Sequence, residues 1–117
     1  MAVLRIVPNL RTGDPRALAA FYRDLFGLDI VMDHGWIATV AADGAMAPQL
    51  SLAREGGAGT DVPDISIEVD NIESVHRLAL ERGCEIVHPL TLESWGVRRF
   101  FVRDPDGHVV NVLSHSD

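Results

Sequence analysis

The side chains with the chemistry to hold a small molecule fall into sets with alternate spacing. Asn9 and Arg11 are two residues apart, as are Gln49 and Ser51, and Asp64, Ser66 and Glu68 continue the pattern; Asn111 interrupts an apolar run near the end. Alternate residues of a strand share a face. Each set therefore puts polar groups on one side of its strand, while Leu4, Ile6 and Leu10, then Leu50 and Leu52, then Ile65, Ile67 and Val69 take the other. If helices cover the apolar side, the polar side lines a cleft for a small ligand; a one-sided sheet that shows its polar face to water is the plain alternative. Asp64 and Glu68 are candidate general bases if burial raises their pKa. Arg11 suits a carboxylate, from a substrate or from one of those two residues. Trp36, at a strand start, and Trp95, beside Gly96 in a loop, are the rings able to stack on a planar group. Core packing is an equal alternative for Trp36.

None of the five histidines belongs to these sets. His76 is expected on the solvated side of a helix, His108 at a turn exit and His115 in a tail. His34 and His88 remain as proton-transfer candidates at a pocket rim. Arg98 and Arg99 precede Phe100 and Phe101, so one of each pair faces inward, and alternation alone does not say which. Cys84, the single cysteine, reads as a structural thiol and excludes an internal disulfide, which fits a reducing compartment. Glu55 to Thr60 holds three glycines but neither the Lys-Ser/Thr of a phosphate loop nor the layout of a dinucleotide site.

The elements that position these residues are written twice. Leu4 to Arg11 is extended; Asp14-Pro15 starts a helix with an apolar stripe at Leu18, Phe21, Tyr22 and Leu25, and Gly27 stops it. Leu28 to Met32, Trp36 to Ala41 and Gln49 to Arg54 read as strands. After the flexible-looking Glu55 to Thr60 the order restarts. Asp64 to Val69 is a strand, Asp70 or Asn71 caps a helix carrying Ile72, Val75, Leu78 and Ala79, and Gly83 stops it. Cys84 to Val87, Val97 to Arg103 and His108 to Leu113 follow, with a strong turn at Asp104-Pro105-Asp106-Gly107. Asp14 and Asp70, Gly27 and Gly83, and Leu28-Asp29-Ile30-Val31 and Cys84-Glu85-Ile86-Val87 correspond at one offset.

The bulk numbers fit this plan. The chain has 117 residues, 47% apolar and 23% charged, the composition of one ordinary globular domain. Module one is expected over 3–54, a linker over 55–63 and module two over 64–114. No run approaches the ~20 apolar residues of a membrane span, and the N-terminus lacks a signal-peptide layout, so a cytoplasmic protein is expected. The net charge of −7 argues against nucleic acid, which needs a basic footprint. It mildly favours a cationic ligand, although such a balance more often serves solubility.

Asn9-Leu10 with Asp14-Pro15 and Ala20-Phe21-Tyr22-Arg23-Asp24-Leu25-Phe26-Gly27-Leu28 resembles the opening signature of the vicinal oxygen chelate superfamily, which includes glyoxalase I, extradiol dioxygenases and bleomycin-resistance proteins. Asp64 to Asn71 and Phe101 to His108 are similar to the ends of its second module. The resemblance implies an α+β fold in which two βαβββ modules form a curved, incomplete eight-stranded barrel with helices outside. It places the superfamily's metal-ligand positions on Val7, Gln49, Asp64 and Asn111. Valine cannot ligate, and amide carbonyls are weak ligands for zinc or nickel, so neither a metal nor another cofactor is expected. Asp33-His34-Gly35-Trp36, Trp95-Gly96 and Pro8-Asn9-Leu10 look similar to the bleomycin-resistance branch, whose members are dimers that sequester a cationic drug. The resemblance therefore implies a homodimer that binds a small molecule without metal, an antibiotic being one candidate. The ligand residues would be Asn9, Arg11, Trp36, Gln49, Asp64, Glu68, Trp95 and Asn111. The alternative is a lyase, isomerase or dioxygenase of the same fold, working through a metal or an acid–base pair.

Overall fold

The structure, a computed structural model, describes residues 2–44 and 48–115, so residues 45–47 of the expected first module lie outside the described residues. The elements run β1 (Val3–Arg11), α1 (Pro15–Phe26), β2 (Asp29–Asp33), β3 (Ile37–Ala41), β4 (Gln49–Ala53), β5 (Ile65–Val69), α2 (Ile72–Glu81), β6 (Ile86–Leu92), β7 (Val97–Arg103) and β8 (Val109–His115). The strands are ordered β2-β3-β4-β1-β5-β8-β7-β6 in a mixed sheet. This is the two-helix, eight-stranded α+β arrangement expected from the repeat.

Val7–Val62 form one compact unit. In it β1 pairs parallel with β4, while β2–β3 and β3–β4 are antiparallel. The Asp14 carboxylate caps α1 by accepting from the Ala17 N–H at 3.1 Å, Pro15 opens the helix, and Gly27 closes it at φ 69°. Such a cap is worth about 1 kcal/mol. Ala19 and Ala38 are small enough to let the helix lie close to the sheet, and with Val40 and Leu52 they form the core under Leu18 and Tyr22. The rest of the expected apolar stripe does not join them: Phe21 and Leu25 are 54% and 62% exposed. A helix buries only the arc facing its sheet, and here Pro15, Ala19 and Tyr22 occupy that arc.

The second unit joins the N-terminal segment through Ile6 to the chain from Pro63 onward. There β5 pairs parallel with β8, and β6–β7 and β7–β8 are antiparallel. Phe100, Val112, Val69, Ile72 and Ala79 make the core between α2 and the sheet, with Ile67, Val75, Ile86 and Val102 packed against them. Asn71, not Asp70, caps α2, taking the Ser74 N–H, while Asp70 accepts from the Ala2 N–H at 2.8 Å. The repeat offset thus differs by one residue between helix start and helix stop. β6 extends past the Val87 expected as its end, because an edge strand tolerates Pro89 without an N–H to give. β8 extends to His115, which pairs with Val97 and so is no tail. His76 is no solvated side chain either: its ring packs edge-on against Phe100, with centroids 4.9 Å apart.

Glu55 to Thr60, expected to be a flexible link, is a hydrogen-bonded turn. The Gly56 N–H donates to the Thr60 carbonyl at 2.8 Å, the Thr60 N–H and hydroxyl both donate to the Gly57 carbonyl, and the Gly59 N–H donates to Glu55. A side chain on Gly56 would run into the Asp61 carbonyl and the Thr60 hydroxyl, whereas Ala58 already sits at a positive φ of 52° that suits glycine. Gly56→Ala is expected to lower unfolding free energy by about 1–3 kcal/mol, and Ala58→Gly to leave it unchanged or raised, both read from denaturant midpoints.

The turn after β7 is a second local device. Asp104 Oδ1 accepts the N–H groups of Asp106 and His108, and Oδ2 lies 3.0 Å from His108 Nδ1. The hydrogen bond to Asp104, then the attraction of its charge, raises the His108 pKa. Desolvation pushes the Asp104 carboxyl up, but the His108 backbone and ring hydrogen bonds outweigh it and hold the pKa below its ordinary value. A raised imidazole pKa stabilises the fold below the unfolded value of about 6.5 and ceases to do so as pH rises through the folded one. The lowered carboxyl pKa stabilises it above about 3.9, an effect lost as pH falls through the folded value. The NMR titration midpoint of His108 should therefore lie above about 6.5 and drop toward it in Asp104→Asn.

Candidate functional site

The residues opposite α2 on the second unit's sheet build the candidate site. Pairing sets Ser66 beside Asn111, Asn111 beside Phe101, and Phe101 beside His88, a row across β5, β8, β7 and β6. The next row carries Glu68, Leu113 and Arg99. Alternation sends Phe100 and Val102 to the α2 core and leaves Arg99 and Phe101 on this face. Arg98 points the other way and pairs with Glu73 of α2, which resolves which arginine shares the Asn111 face.

Arg99 is almost fully buried, and so is Glu93 in the hairpin turn between β6 and β7. Glu93 Oε2 accepts from both Nε and Nη2 of Arg99 at 2.6 Å. The guanidinium carbon lies 4.9 Å from the Trp95 ring centre and 4.7 Å from that of Phe101. The cation thus contacts two π faces. Burial pushes the Arg99 pKa down, and the Glu93 charge and hydrogen bond oppose that. Glu68 is also paired: Arg5 Nε donates to Oε1 at 2.6 Å, and His115 Nδ1 is 2.8 Å from Oε2. Burial pushes its carboxyl up, but those hydrogen bonds more than reverse this, so its pKa lies below the ordinary value. The burial-raised general base considered for Glu68 is therefore not what the fold makes; it is a held carboxylate.

Two buried polar atoms lack hydrogen-bond partners among the described residues: Asn111 Oδ1 and His88 Nε2. Asn111, 9% exposed, uses its amide nitrogen on Ser66 Oγ at 3.1 Å. His88 Nε2 lies 3.4 Å from Glu93 Oε2, an ion pair when the imidazole is protonated, and its ring lies against Phe101 with centroids 5.2 Å apart. Leaving such an atom unpaired costs about 1–3 kcal/mol. Both flank the same aromatic ring.

In the first unit Asn9, Arg11, Gln49 and Ser51 share one face, since Asn9 pairs with Ser51 and Arg11 with Ala53. Ser51 and Thr39 bond to each other at 2.7 Å between hydroxyls, buried. Arg11 is exposed and reaches Asp61 at 3.9 Å. Trp36 lies just before β3 with His34 stacked on it at 6.4 Å between centroids. In the second unit Glu68 and Asn111 share the face just described, and Trp95 covers Arg99 from the turn. Asp64 stands before β5, where its carboxylate accepts the Val109 N–H at 2.8 Å. Glu93, His88, Arg99 and Phe101 are what the sequence reading missed or left unplaced. The signal was there in part: acidic and basic residues flank the Trp95-Gly96 turn, where a hairpin folds them together.

The donors at the superfamily's metal positions do not suit a metal. Val7 is buried and aliphatic, Gln49 and Asn111 are amides, and Asp64 is engaged by a backbone N–H. Zinc and nickel favour imidazole, thiolate or carboxylate. Among the described residues no group of three or more His, Cys, Asp or Glu is placed to hold a metal ion, and no helix is long and apolar enough to cross a membrane.

The chain resembles several solved structures. These include NAD-dependent benzaldehyde dehydrogenase from Legionella pneumophila, at 16% identity over 96% of this chain and 100% of that one, with a TM-score of 0.78. A superfamily member from Vibrio splendidus 12B01 is 20% identical over 97% and 99% of the two chains, with a TM-score of 0.70. Methylmalonyl-CoA epimerase from Mycobacterium tuberculosis is 14% identical over 98% and 88%, with a TM-score of 0.67. At these identities each likeness shows the fold alone. No curated protein matches the sequence. The profile of one family does match, and over residues 3–112: with its repeated modules and nearly its whole length accounted for, the chain belongs to the Glyoxalase/Bleomycin resistance protein/Dioxygenase superfamily.

Proposed function

We propose that this member binds a small organic molecule without a metal, as the bleomycin-resistance branch does, with sequestration of an antibiotic as the role that fits best. The observation that carries the reading is the donor set: an aliphatic side chain, two amides and an engaged carboxylate stand where a metalloenzyme needs ligands. What remains on the polar sheet faces is hydrogen-bonding chemistry. Asn9, Arg11 and Gln49, with Trp36 nearby in sequence, serve from the first unit; Asp64, Glu68, Asn111 and Trp95 serve from the second. We place the protein in the cytoplasm, as the lone cysteine suggests. The apolar stripe of β1, with Leu4, Ile6 and Leu10 at 59%, 54% and 40% exposure, supports a homodimer in which a second copy covers it.

The test has two arms on purified, untagged protein. Zinc, nickel, manganese and iron(II) are each added while Tm is followed, and then aromatic antibiotics are screened by tryptophan fluorescence with and without EDTA. A resident metal at about 100 times its Kd would add about 2.7 kcal/mol, on the order of 10 °C in a domain of this size. The proposal expects no ion to move Tm by more than about 1 °C, and ligand quenching that EDTA leaves unchanged. A large stabilising shift from one ion, or quenching abolished by EDTA, would make the metalloenzyme the better reading.

A further inference from the structure

Where β8 ends, three ionisable side chains from three strands meet on one carboxylate. Glu68 Oε1 accepts the Arg5 Nε–H at 2.6 Å, and Oε2 lies 2.8 Å from His115 Nδ1. Burial pushes the Glu68 carboxyl up, but the His115 and Arg5 hydrogen bonds hold its pKa below the ordinary value. Glu68 is therefore ionised at neutral pH, and an ionised carboxylate can only accept. The neutral imidazole must then carry its proton on Nδ1, which leaves the lone pair on Nε2. The His115 side chain is 52% exposed, and among the described residues its ring has no other hydrogen-bond partner.

An aromatic ring stands at the same end of the sheet. His115 pairs with Val97, and Trp95 precedes Val97 by two residues. The partly exposed Trp95 indole lies over Arg99, whose partner Leu113 shares the His115 face of β8. The charges at this end are answered within the chain, Arg99 by Glu93 and Arg5 by Glu68. Asp64, which carries a carboxylate with no counter-charge, sits beside Val109 at the other end of β8, roughly 20 Å along the strand.

We infer that His115 is a hydrogen-bond acceptor for ligand on this face, with Glu68 as its positioning residue, and that it takes the hydroxyl of a phenolic group whose ring lies against Trp95. A phenol, like tyrosine, keeps its proton to about pH 10 and so has one to donate to Nε2. A carboxylate ligand has none at neutral pH, and an ammonium brings a charge that Arg5 repels. The inference rests on the metal-free binding reading and names its ligand class, against the cation that overall charge favours.

The tautomer is read first, from long-range proton–nitrogen NMR of the labelled full-length protein at about pH 8. The proton should sit on His115 Nδ1, and Glu68→Gln, whose amide both donates and accepts, should give a mixture. Phenol, anisole, benzoate and benzylamine are then titrated in EDTA while the His115 ring signals are followed. Phenol should bind roughly three- to tenfold more tightly than anisole, which has the same ring without the donor. It should also lead both charged probes. Its margin over anisole should vanish in His115→Leu and shrink in Glu68→Gln. Tm establishes that each variant is folded, and the wild-type results decide the matter even if one is not. A wild-type proton on Nε2 would overturn the role given to Glu68. Phenol no better than anisole, a charged probe in the lead, or His115 signals that phenol does not move would overturn the ligand class and leave metal-free binding standing. Metal-free binding would fall separately, on the Tm and quenching results.

Discussion

A guanidinium removed from water must find its counter-charge inside the protein, and Arg99 finds it in Glu93. β7 places it there. With Phe100 committed to the α2 core, alternation sends its neighbours Arg99 and Phe101 to the opposite face. The cation can stay buried only because the β6–β7 turn brings Glu93 to within 2.6 Å and the Trp95 ring centre to 4.9 Å from the guanidinium carbon. The turn, the register of β7 against β8 and the pairing of Arg99 on the Asn111 face are therefore one arrangement. Loosening any part of it would expose or orphan a charge.

That arrangement also sets what chemistry the sheet faces of this chain carry. A sheet face of this kind presents side chains in rows across strands, and the chemistry of a row depends on which residue types fill it. Here the rows hold amides, hydroxyls and rings: Asn9 beside Ser51 and Thr39 in one unit, Ser66 beside Asn111 and Phe101 in the other. The ionised groups are held by one another, and Glu68, gripped by Arg5 and His115, has its pKa lowered rather than raised. Such a face presents hydrogen-bonding groups and aromatic rings, which is the chemistry on which the proposed binding role rests.

Much of the scaffold was legible in the sequence because its signals are local. Asp14-Pro15 and Gly27 mark α1 as the structure has it, and the duplication announces the eight strands; β1 departs from the expected facing, since Leu4, Ile6 and Leu10, expected beneath helices, are exposed while Val7 on the Asn9 side is buried. The unread parts depend on tertiary pairing. Nothing local says that Asn71 caps α2 while Asp70 turns back to Ala2, because both types cap helices equally well. His115 looks like a tail until a β7 neighbour is there to pair with it. The choice between Arg98 and Arg99 needs the position of α2, whose Glu73 takes the first. The Glu93–Arg99 contact spans a hairpin whose register shifts along β6, so no fixed spacing announces it.

The dependence of this face on the buried pair can be measured by a double-mutant cycle of equilibrium unfolding with Glu93→Leu, Arg99→Met and their combination. The account predicts that each single change costs about 3–5 kcal/mol, by stranding one buried charge, and that the double variant is more stable than either. Single changes that each cost less than about 1 kcal/mol and simply add, as for an exposed surface pair, would contradict it.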